Sequence, residues 1–498
     1  MSKELRVTKY NEALAAVIKR AGELGVYAIG RLEDSKSAAI VVNDGVLERI
    51  DTDHTIGLGV QVFTPGGHTG FASGDSLRPE SCRKLVETAA KLARSAAKYG
   101  TVTNRAVFEI GSNGQQVIAS EARSMDEVDY SEQVKALLEV NRQALTYGAR
   151  LAVRSTFNVV DAQWRIVRSD CTDMSFDTPS ASVKTRLAIG QGKASRIITN
   201  VSGVDDSVLL DELYQKRLAL RTQRAARIGQ DLVDAPLIKA GSYKLVIDYA
   251  LAKGLVHETV GHASETYLLE NSVLARQGKL RLGEQWAADI VTITDGPIAE
   301  DYAYQPISAN GMPRQTVDII KDGIFQAGLG DLFSAANVGI PVTGAERVEY
   351  YRNLPLPRMT NTRLIIKDPV TLDTPFEQVT PEELRTSLLQ NGLLKEGEPA
   401  LYLSGYKGGQ ADHTEGDFVF NCIAIYDLNQ PGLPLYQPAL FSGKMKPALH
   451  SILGGLGSLH LDAIGQCSKG RQTVPSSGGG PAFVVIDRNK HLTIGGRP

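Results

Sequence analysis

Two histidines five residues apart, with a glutamate beside the first, set the tightest geometric condition in this chain: His257-Glu258-Thr259-Val260-Gly261-His262. A β-type run ending at Asp248 leads into a predicted helix that carries them. Two neutral imidazoles with an adjacent carboxylate are the donors of a catalytic zinc site, the histidines as ligands and the glutamate as proton acceptor. In an α-helix, however, five steps of 100° leave two side chains about 140° apart, on different faces. One ion can reach both rings only if the helix carries a π-type bulge, or if it ends near Gly261 so that His262 swings back. Gly261 suits either solution. The alternative is a regular helix whose histidines bond to backbone or water. With 8 histidines and 56 acidic residues in 498, chance produces the pattern roughly 0.014 times per chain. The metal-site reading is therefore the one to carry forward.

The rest of the composition narrows the class. At about 150 residues per domain, 498 residues make two or three domains. Lys and Arg total 54 against 56 Asp and Glu, a formal charge of −2, which argues against a dedicated nucleic-acid binder. No run approaches the roughly 20 apolar residues that span a bilayer. The first 22 residues interleave charges with apolar positions and read as an amphipathic helix, not a signal peptide. Four scattered cysteines (Cys82, Cys171, Cys422, Cys467) do not make a disulfide framework. A cytoplasmic, reducing compartment is the simplest expectation.

Local patterns predict an α+β fold, with a mixed α/β N-terminal half and a strand-rich C-terminal half. Leu14, Val17, Ile18 and Ala21 fall at helical spacing before Gly25. Asp44-Gly45 predicts a hairpin, and Pro65-Gly66-Gly67 a second turn. Helices are expected from about Pro79 to Tyr99, with Cys82 as a small core residue, around Val134 to Leu145, and over 207–228. Short strand-like runs fill 149–200. Asp295-Gly296 and Asp322-Gly323 read as hairpin turns. Thr380-Pro381-Glu382-Glu383 is a capping box that starts a helix ending at Asn391-Gly392. The expected domains are 1–230 and 231–498, and a sub-boundary near 110–125 is a further option.

A catalytic zinc takes three protein ligands and keeps one open position, so another donor must come from elsewhere in the chain. Cys467 lies near Lys469 and Arg471, whose charge favours the thiolate. Cys422 sits in a β-run and reads as core, and Cys171 lies in a polar loop. His413, His450 and His460 lack a metal-binding pattern and read as ordinary surface or interface histidines. Glu265 and Glu270 are candidate partners behind the ligands, or else solvated helix residues. The spacing leaves the third ligand open. Gly454, Gly455, Gly478 and Gly479 are candidate substrate-binding positions, because glycine allows a guest backbone to approach and add as a strand. The alternative is that they form flexible surface turns.

Several runs, in their order along the chain, resemble the TldD/PmbA family of zinc metallopeptidases, in its TldD-like, metal-motif-bearing branch. They are Asn43–Glu48, Gly57–Val62, Gly70–Ser73, Gly254–Glu265, Asp322-Gly323, Pro357–Thr362, Gly416–Phe420, and Cys467 with Lys469, Gly470 and Gln472. The resemblance implies Zn2+ held by His257, His262 and Cys467, with Glu258 as general base. It further implies hydrolysis of unfolded or flexible peptides in a cleft enclosed between subunits, with some members maturing peptide natural products. The dimer would be a homodimer or a heterodimer with a PmbA-like chain that lacks the metal motif, with no nucleic acid or membrane partner. Two other readings compete: a non-catalytic peptide-binding scaffold subunit, and a metal-dependent hydrolase of a non-peptide amide. Two stretches depart from the family pattern. Cys467-Ser-Lys-Gly-Arg-Gln472 replaces Cys-Gly-Lys-x-Gly-Gln, and Asp248–Gly254 is unusual just before the motif.

Overall fold

Asp44 and Gly45 both adopt positive φ (47° and 80°) and turn strand β1 (Tyr27–Asn43) back as β2 (Val46–Phe63). Both central residues of a two-residue hairpin loop of this hand need that conformation, which is why Asp-Gly marks it in sequence. The computed structural model describes residues 3–100, 103–125, 129–148, 151–190 and 195–496. Pro65-Gly66-Gly67 carries the chain from β2 into β3 (Thr69–Gly74), with Phe63 opposite Thr69. Together with β4 (Gln115–Ile118), β5 (Leu151–Arg168), β6 (Asp173–Asp177), β7 (Ser180–Ile189) and β8 (Ser195–Gly203), these form an eight-stranded sheet.

Helices α1 (Asn11–Glu23) and α2 (Pro79–Lys98) pack their apolar faces on this sheet, burying Leu14, Val17, Cys82, Val86 and Ala89 against Leu58, Val60 and Val62. Helices α3 (Tyr130–Leu145) and α4 (Glu212–Leu232) follow, the latter running past the expected end at 228.

The second sheet has eleven strands. Its centre is β9 (Lys244–Asp248), wholly buried, from which helix α5 (Tyr249–Val256) departs. Around it lie β10 (Val291–Gly296), β11 (Val317–Lys321), β12 (Ile324–Phe325), β13 (Asn361–Ile366), β14 (Ala400–Ser404), β15 (Ala424–Asp427), β16 (Leu435–Tyr436), β17 (Ile452–His460), β18 (Gly465–Lys469) and β19 (Gln472–Ile486). The order along the sheet is β12-β11-β10-β13-β19-β9-β14-β15-β16, with β17 and β18 also pairing β19. Helix α6 (Pro381–Gln390) begins as its capping box predicts, the Thr380 hydroxyl accepting from the Glu383 N–H at 3.2 Å.

Asp322-Gly323 turns β11 into β12 as expected. Asp295-Gly296 does not make a turn. It ends β10, opposite Thr362 and Asn361, and Asp295 is buried, accepting from the Thr360 N–H and the Thr362 hydroxyl. A buried acceptor that collects several donors outweighs the local turn preference of Asp-Gly.

The largest core cluster surrounds α5, joining Leu251, Leu255, Val256 and Val260 to Ile247, Met359 and Val484. Loops of the second half meet the first sheet: Arg31 donates to the Ala309 carbonyl at 2.7 Å, and the Tyr351 N–H donates to Glu33 at 2.8 Å. No described helix is long and apolar enough to cross a membrane.

Candidate metal centre

Asp248 begins the site. Its carboxylate caps α5 by accepting from the Leu251 N–H at 3.1 Å, so the helix starts directly at the end of the buried strand. The helix is α-type through Val256. Over His257–Gly261 it widens into a π-turn, the first of the two distortions that the histidine spacing allows. The Thr259 hydroxyl donates back to the Leu255 carbonyl at 2.7 Å, an intrahelical bond of the kind that bends helices. Gly261 lets Met359 pack directly on the turn, since a Cβ there would lie 1.9 Å from the Met359 sulfur and the methionine would have to shift. The extra residue in the turn brings the rings of His257 and His262 together, with centroids 5.1 Å apart and planes at 83°.

Cys467 approaches from β18, which forms a two-residue hairpin with β19 through Gly470 and Arg471, both in the left-handed region (φ 58° and 61°). The departure from the family pattern thus still turns the chain. Cys467 Sγ lies 3.4 Å from His262 Nε2. One donor atom each from His257, His262 and Cys467 lies within 4.8 Å of the others, and all three residues are buried. The group fits zinc by its chemistry: two imidazole nitrogens and a sulfur, with His257 Nδ1 buried and lacking a hydrogen-bond partner among the described residues.

The electrostatics hold His257 in its ligand form and pair His262 with Cys467, so that a metal ion would displace the His262 proton on binding. Burial, reinforced by the charge of Lys253, holds His257 well below the usual imidazole range, so the ring is neutral. Burial raises the Cys467 thiol, but facing His262 outweighs it and the net shift is downward, toward thiolate. Burial works against a charged His262 too; Glu265 and Cys467 overcome it and push the ring up to about 10.

Glu265, left between two roles by the sequence, is buried. Its Oε1 stands 3.0 Å from His262 Nδ1, and its other oxygen accepts from Lys469 Nζ. A carboxylate on Nδ1 orients the ring and leaves Nε2 facing Cys467. Glu270 is exposed. Glu258 Oε2 is 4.0 Å from His262 Nε2, and its side chain, 23% exposed, is the acid of the cluster open to solvent.

The four candidate glycines stand apart from this group. Gly478 and Gly479 are buried in β19, where a Cβ would lie 2.0 Å from the Thr362 carbonyl and 1.7 Å from the His460 carbonyl. Gly455 pairs with Val484 on one side and accepts from the Val370 N–H on the other, while Gly454 packs against Leu393. Their close backbone approaches are to this chain itself, and Gly455, Gly478 and Gly479 present no free strand edge to a guest. Cys422 is buried in the core and Cys171 is exposed, as expected. His413 is a correction. Its ring lies 5.4 Å from that of His262, half-buried, with Nδ1 unpartnered among the described residues, and burial plus the charges of His262 and Lys469 press its pKa down to about 4. No local pattern marks it, because the hairpin of strands Gly409–Asp412 and Asp417–Asn421 is brought over the π-turn by tertiary packing.

Residues 240–430 match the PmbA/TldA metallopeptidase C-terminal domain, and residues 31–93 match PmbA/TldA metallopeptidase domain 1. The chain belongs to the TldD/PmbA family. A TldD/PmbA relative named metalloprotease TldD homolog, from Haemophilus influenzae, is 26% identical over 93% of this chain and 91% of its own length. One named zinc metalloprotease TldD homolog, from Saccharolobus solfataricus, is 29% identical over 66% of this chain and 68% of its own. The crystal structure of TldE from Thermococcus kodakarensis shares the fold, with a TM-score of 0.70 at 15% identity, covering 97% of this chain and 100% of that one.

Proposed function

We propose that this TldD/PmbA member is a zinc-dependent peptidase in which His257, His262 and Cys467 hold the metal and Glu258 is the general base. The observation that carries the reading is the convergence of those three donors beside a solvent-open carboxylate. Zinc, when bound, supplies Lewis acidity to the scissile carbonyl and the attacking water. Glu258 takes the proton from that water and returns it to the leaving amine. Glu265 keeps His262 aimed, and Lys469 holds Glu265 in place.

The substrate class we infer is unfolded or flexible peptide, on the strength of the metalloprotease names that relatives bear. Maturation of a precursor peptide is one use of such an activity. A second copy or a PmbA-like chain is the proposed partner, supported by the likeness to a TldE fold. A reducing, cytoplasmic setting suits four free cysteines, one of them a thiolate donor. The scaffold and non-peptide-hydrolase readings have no observation in their favour.

The decisive experiment is elemental analysis of the purified protein beside Cys467→Ala, with a digest of a denatured polypeptide. One zinc per chain and cleavage in the wild type, both lost in the variant, are expected. Equal metal content in the two overturns the ligand assignment.

A further inference from the structure

The helix face that bears His257 continues one turn toward the N-terminus and meets Lys253, in the stretch that departs from the family pattern. Lys253 is 5% exposed. Its Nζ donates to the Ser476 hydroxyl at 3.1 Å, and no carboxylate pairs with it among the described residues. An ammonium has three donors, so two remain unspent.

Strand β18 runs alongside this face. Gly465, Cys467 and Lys469 alternate onto one side of it, and each meets a different level of the helix: Lys253 at Gly465, His262 at Cys467, Glu265 at Lys469. Lys253 thus stands about 7 Å, two strand residues, from the level of the sulfur. Gly465 leaves room for the ammonium, since a Cβ there would be 3.2 Å from Nζ. Burial holds the Lys253 ammonium below its ordinary pKa, and Glu258 and Cys467 are the facing groups that oppose that shift most without cancelling it. A buried lysine with unspent donors, on the His257 side of the helix and facing Glu258 and Cys467, is a group that can stabilise negative charge developing during peptide hydrolysis.

We propose that Lys253 is a catalytic residue whose ammonium donates to the scissile carbonyl oxygen as that oxygen becomes anionic. The inference rests on the peptidase reading. The water oxygen bonds to the carbonyl carbon, and the C=O π pair moves onto the oxygen, which accepts from Lys253. Glu258 takes one water proton. When the tetrahedral centre collapses, the C–N bond breaks and Glu258 gives that proton to the departing nitrogen.

The test uses full-length, zinc-loaded protein and a fluorophore-labelled denatured polypeptide. Lys253→Met is expected to lower kcat about 100-fold, with KM and zinc content as in the wild type, and Lys253→Arg to recover at least a tenth of the activity. A kcat within about threefold of wild type, or a loss carried by KM or by zinc content, overturns the proposal. Should Lys253→Met fail to fold, Gly465→Ala decides, because it crowds the ammonium without changing any charge. A fall in kcat at constant KM and zinc supports the role, and an unchanged kcat overturns it. A zinc-loaded wild type that cleaves nothing defeats the peptidase reading and this inference with it. An active wild type beside an equally active Lys253→Met defeats the inference alone.

Discussion

Glu258 and Glu265 are the same side chain in two environments, and they should respond differently to the same change. Glu258 opens to solvent and touches none of the ligands closely. Glu258→Gln is expected to keep its zinc and lose turnover by a factor of 100 or more; peptide cleavage at wild-type rate in a metal-loaded variant removes it as the base. Glu265 is buried between His262 and Lys469. Glu265→Gln weakens the hold on His262, and zinc affinity should fall about 10- to 100-fold, read by competition with a chromogenic chelator. The sequence offered both acids as candidates near the motif. It could not separate them, because position along a helix does not say whether a side chain meets solvent or a lysine two hundred residues away.

At the level of elements, the π-turn is where local and tertiary demands agree. Histidines five apart can share one ion only from a distorted or ended helix, and Met359 packs directly onto Gly261 within the π-turn that results. Gly261→Ala drives a methyl into the Met359 sulfur. A destabilisation of about 1–3 kcal/mol is expected, with loss of zinc as the rings part, measured by thermal melting and metal stoichiometry together. A stable variant with full zinc content would show that the turn is set by Thr259 and the strand packing instead. The hairpins at Asp44-Gly45 and Asp322-Gly323 and the capping box of α6 were legible because their hydrogen bonds close within a few residues. Asp295-Gly296 misled for the opposite reason, its partners Arg314, Thr360 and Thr362 being distant in sequence.

At the scale of the molecule, buried polar groups of the first sheet meet loops of the second half. Glu33 is one of them. Burial pushes its pKa up to about 7 from an ordinary 4.5, against the hydrogen bond from the Tyr351 N–H. The folded state then holds a proton that the unfolded chain releases. Glu33 therefore contributes stability that is complete below about pH 4.5 and is lost as pH rises through about 7, an effect on the order of 3 kcal/mol. Glu33→Gln keeps the acceptor and cannot ionise. Its melting temperature should exceed that of the wild type increasingly from pH 5 to about pH 7 and by a constant margin above that, and parallel pH profiles for the two proteins would refute the assignment.

The amino-acid order alone determined what short-range geometry can determine: an α+β chain, a histidine spacing that one ion can bridge only from a distorted or ended helix, and several of the turns and caps; the π-turn that meets the spacing is seen only in the folded chain. The third donor, the pairing of Glu265 with Lys469, and the arrival of His413 and Lys253 beside the cluster were decided by tertiary structure. The sulfur and the Glu265–Lys469 pair depend on how β18 registers against β19 and lies along α5, while His413 comes with the strand Gly409–Asp412 packed on the π-turn. That register is fixed by burial over the whole eleven-stranded sheet, a sum over many distant contacts that no local pattern contains.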